Sequence, residues 1–256
     1  MHIPKVGGYY AYAKINEMLI SSPQYKDLLI EDKFSFCNMV LHPVTGELKL
    51  TEKGARCNMW MSEQMYTSLL TMPEHIYTVV HNPRDHILSQ YFHCTESREH
   101  LDRSMFMPSL DEWLESWVLA LNNETKAQEN SKFQCYSPIN LQSSYTQFQP
   151  EENDSLQDLE RRFTVIAPFD NMDLSMCVIF IHYAGWVPET CKCSNDRYLA
   201  EDHGVKHHGG SFETTDQQDE LIQKLVQNDN LLFNYTKTLF AQKLKHTEEE
   251  YSVNLC

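Results

Sequence analysis

The first ten residues, Met1-His-Ile-Pro-Lys-Val-Gly-Gly-Tyr-Tyr10, hold the pattern around which we expect the fold to be organised. Two adjacent glycines, Gly7 and Gly8, follow a lysine, and a run compatible with a helix begins directly after them. Glycine lets the backbone turn with positive φ and brings bare N–H groups close to a ligand. The following helix directs its free amides and its positive dipole end to the same point. The stretch therefore predicts an anion-binding turn, with Lys5 as a mobile positive charge beside it.

The composition indicates a globular protein. With 256 residues, of which 41% are hydrophobic and 11% aromatic, the chain is long and apolar enough for one full-sized core. The formal charge of −15 argues against a general nucleic-acid-binding protein, which needs a basic surface. An anionic ligand must therefore be held by local basic residues against an unfavourable overall field. No apolar run reaches the length of about 18 residues that marks a membrane span, and no signal peptide is visible.

Strand and helix patterns alternate along the chain. The β-branched and aromatic runs 76–80 and 163–167 predict buried strands. A helix is predicted after Asn82-Pro83, with Asn as the N-cap and Pro at the first helical position. Further helices are predicted after the capping boxes that begin at Ser109 and Thr215. Strands that alternate with helices predict an α/β fold of three layers around a mainly parallel sheet.

The domain organisation follows from changes in composition. We expect a single domain over residues 1–245. Residues 122–158 are rich in Asn, Gln, Ser and Glu, which predicts a surface excursion with short helical pieces. Residues 246–256 are predicted to form a polar tail.

The eight cysteines leave the pairing open, because sequence alone does not give connectivity. Cys191-Lys-Cys193 suggests a metal site as an alternative to disulfides. No second closely spaced Cys or His pair completes a tetrahedral zinc site, so we predict no metal. Three N-glycosylation acceptor patterns begin at Asn123, Asn153 and Asn234, and they favour a lumenal location.

The opening stretch resembles the His-Ile-Pro-Lys-Thr-Gly-Gly-Thr motif of Golgi-type, membrane-bound carbohydrate sulfotransferases of the heparan sulfate and chondroitin type. In that family the motif binds the 5′-phosphosulfate of 3′-phosphoadenylyl sulfate (PAPS). Val6 and Tyr9 replace the two threonines, so two hydroxyl contacts to phosphate are lost while the backbone turn remains. The resemblance implies a P-loop-like turn in which Lys5 contacts the oxygen between phosphate and sulfate. Backbone groups of 6–9, which include Gly7 and Gly8, would bind the 5′-phosphate.

A second stretch, residues 77–91, resembles the strand–loop–helix with which this family binds the 3′-phosphate of PAPS. Its usual form is Arg-Asp-Pro with a Ser six residues after the Pro, and Ser89 has that spacing from Pro83. His81 stands where the family has arginine. Neutral histidine offers one N–H in place of a permanent charge and a two-pronged donor. The resemblance implies that Ser89, with His81 or Arg84, holds the 3′-phosphate; a plain helix cap beside a solvated basic residue is the alternative.

A third segment, Asp202-His-Gly-Val-Lys-His-His-Gly-Gly210, resembles the loop that closes over the nucleotide in this family. The resemblance implies nucleotide contacts from His203, Gly204 and Lys206. Two alternatives stay open. The segment is either a histidine-rich surface loop, or a metal site built from its three histidines, for which the sequence locates no fourth ligand.

The general base is the least defined part of the expected site. A base that takes the proton of the acceptor hydroxyl typically adds about 10²–10⁴-fold to the rate. Related enzymes place a His or Glu in the segment that corresponds to residues 57–63, and this segment holds no histidine. Glu63 is therefore the predicted base, with His42 and His75 as poorer candidates.

The resemblance implies a PAPS-dependent sulfotransferase of the Golgi lumen, which transfers a sulfuryl group to a hydroxyl of a glycan acceptor. It implies no metal requirement, and membrane attachment only through an N-terminal anchor absent from this chain. One alternative is a catalytically impaired, PAPS- or nucleotide-binding lumenal protein of the same fold. Another is a P-loop kinase, against which the Lys-before-Gly-Gly order and the absence of Gly-Lys-Ser/Thr argue.

Overall fold

The computed structural model describes residues 14, 15, 18, 75–96, 107–133, 135–193 and 212–256, together with the backbone of 36–41, 48–50 and 59–61. Most of these residues are helical. The α-helices with assigned bounds are α1 (Pro83–Glu96), α2 (Leu110–Ala120), α3 (Glu124–Asn130), α4 (Leu141–Thr146), α5 (Leu156–Arg162), α6 (Met172–Ala184), α7 (Asp216–Leu225) and α8 (Gln227–Tyr251). Short 3-10 turns cover Ser131–Phe133, Pro150–Glu152, Phe169–Asn171 and Glu189–Cys191.

The strands that the structure describes form two small sheets. In one sheet, β1 (Phe36–Leu41) pairs antiparallel with β2 (Leu48–Leu50) and parallel with β3 (Met59–Met61). In the other sheet, β4 (Tyr77–Val80) pairs in parallel with β5 (Val165–Pro168). The register of this pair places Tyr77 opposite Val165 and Val80 opposite Pro168.

The predicted three-layer α/β fold with a mainly parallel sheet is wrong, because the described part of the chain is mostly helical and its sheets hold three and two strands. The physical reason lies in the spacing of the apolar residues. In α2 and α7 the apolar residues repeat at helical spacing, and these two helices bury their apolar faces against each other. The two buried strands, β4 and β5, are only four residues long.

The described residues fall into two compact units. The first contains those of Met1–Val80, Ser155–Glu201 and Thr236–Cys256; the second contains those of His81–Asp154 and Asp202–Tyr235. In the second unit α7 packs on α1 and α2. Its core includes fully buried residues from each of these helices: Leu88, Trp113, Leu114, Ile222 and Leu225.

Helix starts that depend on local capping are confirmed. The Ser109 hydroxyl accepts from the N–H of Glu112, and the Glu112 side chain accepts from the N–H of Ser109 in return. Thr215 and Gln218 form the same reciprocal box at the start of α7. Each capping box supplies hydrogen-bond acceptors to two backbone N–H groups that have no partner within the helix. A pattern of four residues is therefore enough to predict where the helix begins.

Two of the segments singled out in the sequence contain helices. The segment 122–158 contains α3 and α4, and Gln142, Ser143 and Thr146 within it are at most 2% exposed. The C-terminal helix α8 continues through 246–251, where we expected a polar tail. In the described residues, no helix has both the length and the apolar character needed to cross a membrane.

Among the described residues, six cysteines form three disulfides, Cys94–Cys135, Cys177–Cys191 and Cys193–Cys256. Cys191 and Cys193 therefore have different partners and do not act as a metal-binding pair. In the part of the chain that the structure describes, no group of three or more His, Cys, Asp or Glu side chains could hold a metal ion.

The Cys193–Cys256 disulfide fixes the last residue of the chain, and we expect its removal to destabilise the first unit. It joins residues 63 positions apart. A disulfide that closes a loop of this length contributes about 2–4 kcal/mol. The double variant Cys193→Ser/Cys256→Ser should therefore lose about that much free energy of unfolding, measured by chemical denaturation. An unchanged unfolding midpoint would show that this disulfide contributes nothing to stability.

Candidate functional site

His81 and Asn82 follow β4 directly and lead into α1. The Oδ1 atom of Asn82 accepts from the N–H of Arg84 at 3.1 Å, and its carbonyl oxygen accepts from the N–H of His86 at 2.9 Å. Pro83 is the first helical residue, a position where its missing N–H costs nothing. The predicted strand-to-helix corner with an Asn cap is therefore confirmed.

The half-buried imidazole of His81 lies at this corner. Its Nδ1 atom is 3.0 Å from the carbonyl oxygen of Asn82. Because a carbonyl oxygen only accepts, Nδ1 carries the proton in this contact, and Nε2 of the neutral ring is an acceptor. The ring stacks on that of His86, with centroids 6.2 Å apart. A phosphate would therefore receive a hydrogen bond from Nε2 only when His81 is protonated.

The guanidinium group of Arg84 is bound by groups of its own chain. Its Nε atom donates to Asp219 at 3.0 Å, and its Nη1 atom donates to Asp85 at 3.1 Å. Its Nη2 atom donates to the hydroxyl of Thr214 at 2.6 Å and to the carbonyl oxygen of Phe212 at 3.0 Å. The pKa of Asp219 is lowered, chiefly by the hydrogen bond from Thr214 and further by Arg84. Two carboxylates thus face one guanidinium charge.

Ser89 lies seven residues after Asn82, which is two helical turns, so both lie on the same side of α1. Its half-buried hydroxyl makes no hydrogen bond within the described residues. The hydroxyl is therefore available to a ligand. Asp85, four residues earlier, lies on the same side of the helix and adds negative charge to it.

A buried glutamine, Gln142, holds the peptide groups of His81. Its Oε1 atom accepts from the N–H of His81 at 2.7 Å, and its Nε2 atom donates to the carbonyl oxygen of His81 at 3.0 Å. The buried carboxylate of Asp229 accepts from the N–H of Gln142 at 3.3 Å and from that of Ser143 at 2.7 Å. Asp229 thereby caps the N-terminus of α4.

The capping is reciprocal, because Asn140, just before α4, caps α8. Its Oδ1 atom accepts from the N–H of Asn228 at 2.9 Å and from that of Asp229 at 3.4 Å. Sequence reasoning missed this network. Its partners are 61 and 87 residues apart in the chain, as for Gln142 with His81 and with Asp229, so no local pattern marks them.

Burial raises the pKa of Asp229 to about 6, although the hydrogen bonds from Ser143 and Gln142 act in the opposite direction. The folded state therefore binds the proton more tightly than the unfolded state, whose aspartate has an ordinary pKa near 3.8. This contribution to stability is fully present below about pH 4 and is lost as the pH rises through 6.

We expect Asp229→Asn to remove this pH dependence. A shift of about two pKa units corresponds to about 2–3 kcal/mol. Relative to the wild type, the variant should therefore gain about that much stability between pH 4 and pH 7. Urea unfolding of both proteins across this range measures the difference. A difference that stays constant with pH would contradict the raised pKa.

Three of the predicted site residues lie together in the second unit, His81, Arg84 and Ser89. His75, a poorer base candidate, lies in the first unit, where its ring contacts the hydroxyl of Thr164 at 3.4 Å. The remaining predicted residues fall outside those the structure describes, namely Lys5, Val6, Gly7, Gly8, Tyr9, His42, Glu63, His203, Gly204 and Lys206.

The first unit contains a separate cavity of about 370 Å³. It is lined by β5 and by one side of α8, including Thr164, Lys243 and His246. None of the predicted site residues lines it. The candidate site therefore remains the corner formed by His81, Asn82 and α1.

Comparison of the chain with models of known protein families, with curated proteins and with solved structures finds no match.

Proposed function

We propose that the protein is a PAPS-dependent carbohydrate sulfotransferase that transfers a sulfuryl group to a hydroxyl of a glycan. The observation that carries the proposal is the corner after β4. Asn82 caps α1, and the Ser89 hydroxyl, two turns along it, has no hydrogen-bond partner among the residues that the structure describes. The resemblance of the opening motif, with Lys5, Gly7 and Gly8, to the family's 5′-phosphosulfate-binding turn also supports the proposal. The proposal does not depend on a three-layer sheet.

The proposed reaction is an in-line displacement at sulfur. The oxygen of the acceptor hydroxyl forms a bond to sulfur while the bond from sulfur to the bridging phosphate oxygen breaks. Glu63 takes the hydroxyl proton, and adenosine 3′,5′-bisphosphate leaves with the electron pair of the broken bond. Lys5 neutralises the charge that develops on the bridging oxygen, which is the kind of electrostatic stabilisation that dominates such transfers.

The disulfides favour the Golgi lumen as the place of action, because disulfides persist in oxidising compartments. The side chains of Asn123 and Asn153, two of the glycosylation acceptors, are exposed. Both observations support a glycoprotein of the secretory pathway.

The direct test is transfer of [³⁵S]sulfate from PAPS to a panel of glycans, with the secreted and disulfide-bonded protein as the enzyme. Labelled glycan that depends on the protein supports the proposal. The absence of label from every acceptor, together with the absence of nucleotide binding, would overturn it.

A second candidate is a catalytically impaired protein that binds the nucleotide without transferring sulfate. This candidate is favoured by Arg84, whose positive charge is already neutralised by ion pairs with Asp85 and Asp219. It is also favoured by His81, which has no permanent charge. Binding of adenosine 3′,5′-bisphosphate with no sulfate transfer to any glycan would select this candidate.

A further inference from the structure

The peptide groups of His81 lie one residue beyond the paired part of β4, which ends with Val80 opposite Pro168. A buried backbone N–H or C=O that lacks a partner costs about 1–3 kcal/mol. The side-chain amide of Gln142 serves both groups of His81 at once, at 2.7 and 3.0 Å. The side-chain amide of Gln142 therefore replaces the peptide group of a neighbouring strand as the hydrogen-bond partner of His81.

Gln142 is itself fixed from several sides. It is 0% exposed, so its side chain does not reach solvent. Its N–H is held by Asp229, and its carbonyl oxygen accepts from the hydroxyl of Thr146 at 2.9 Å. Since its Oε1 and Nε2 atoms are both hydrogen-bonded to His81, the residue acts on a ligand only through His81.

We propose that Gln142 is a positioning residue for the nucleotide site: it sets the backbone of His81, and through it the His81 ring and the Asn82 cap that would receive the 3′-phosphate. The inference rests on the proposed function, since it assigns a role within the same nucleotide site. The Asp229 carboxylate supports this role, because it fixes the first turn of α4 on which Gln142 lies.

The test is Gln142→Glu, measured at alkaline pH where the new carboxyl group is ionised. The variant then keeps the shape and the acceptor of the side chain but removes the donor to the His81 carbonyl oxygen. The measurement is the ratio of two dissociation constants, that of adenosine 5′-phosphate over that of adenosine 3′,5′-bisphosphate. This ratio reports the contribution of the 3′-phosphate alone. A loss of about 1.4 kcal/mol would lower it tenfold, and we expect a fall of about that size.

Gln147→Glu is the matched control, because it makes the same chemical change at an exposed residue just after α4. It should leave the ratio unchanged. Gln142→Met is the second variant, used if Gln142→Glu fails to fold. Its side chain has no charge and cannot replace the two hydrogen bonds to His81, so it should lower the ratio as well. Thermal unfolding of each variant separates a loss of fold from a loss of positioning.

The outcomes distinguish the two proposals. A wild-type ratio well above one that falls in the Gln142 variants, and not in Gln147→Glu, supports the positioning role. A ratio that stays at the wild-type value in folded Gln142 variants overturns the positioning role and leaves the proposed function standing. If the wild type binds neither nucleotide, or binds both equally, both proposals fail.

Discussion

Trp113→Ala is expected to lower the free energy of unfolding of the second unit by about 3–5 kcal/mol, the usual cost of removing a buried tryptophan. Trp113 is 0% exposed and lies in the core formed by α1, α2 and α7. Its ring also packs against Tyr91, with centroids 5.5 Å apart. The alanine variant leaves a cavity that rigid helices fill only in part. Denaturation by guanidinium, followed by circular dichroism, measures the loss.

Two control variants separate this effect from a general sensitivity of α2. Leu119→Ala changes a side chain that is 65% exposed on the same helix, and it should alter stability by no more than about 0.5 kcal/mol. Trp113→Phe should cost much less than Trp113→Ala, because it keeps an aromatic ring and removes an indole N–H that has no partner within the described residues. Equal stabilities of Trp113→Ala and Leu119→Ala would contradict the helical core.

Lys5→Ala should lower the rate of sulfate transfer by about 100- to 1,000-fold, the usual effect of removing one group that stabilises developing charge. The reason is that the lysine would act on the bridging oxygen mainly in the transition state, so kcat should fall more than nucleotide affinity. Initial rates of [³⁵S]sulfate transfer at saturating PAPS measure the effect.

Lys14→Ala is the control for Lys5→Ala. It removes another lysine near the start of the chain, one that is paired with Asp173 at 3.3 Å. Its ammonium group is paired with a carboxylate and has no role in the proposed reaction, so the folded variant should keep the wild-type rate. Full activity of Lys5→Ala would remove Lys5 from the mechanism.

Features set by a few neighbouring residues could be predicted from the sequence. The helix starts at Asn82, Ser109 and Thr215 follow from side chains that bond amides two or three residues away. The buried strands β4 and β5 were likewise predicted from β-branched runs. These features depend on residues that are close together in the chain, so the sequence is enough to predict them.

The assembly of these elements could not be predicted in the same way. Short strand patterns suggested a parallel sheet of several strands, but the energy of a sheet comes from strands that are distant in the chain and must find one another. The helices bury their apolar faces against other helices instead. Helix α7, for example, packs on α1 and α2.

The candidate site shows the same division. The spacing of Pro83 and Ser89 could be predicted from the sequence, because both residues lie on one helix. The partners of Arg84 were not, since Asp219 is 135 residues away in sequence. Gln142 was also missed, because a polar residue in a polar segment is usually exposed, and nothing local marks it as buried.

The most direct measurement of the central claim is calorimetric titration of the wild-type protein with adenosine 3′,5′-bisphosphate and with adenosine 5′-phosphate. Recognition of both ends of one nucleotide predicts a single binding site, with the bisphosphate bound at least about tenfold more tightly, which is about 1.4 kcal/mol for the 3′-phosphate. Ser89→Ala should then weaken the bisphosphate alone. Equal affinities for the two nucleotides, or no binding of either, would contradict the account.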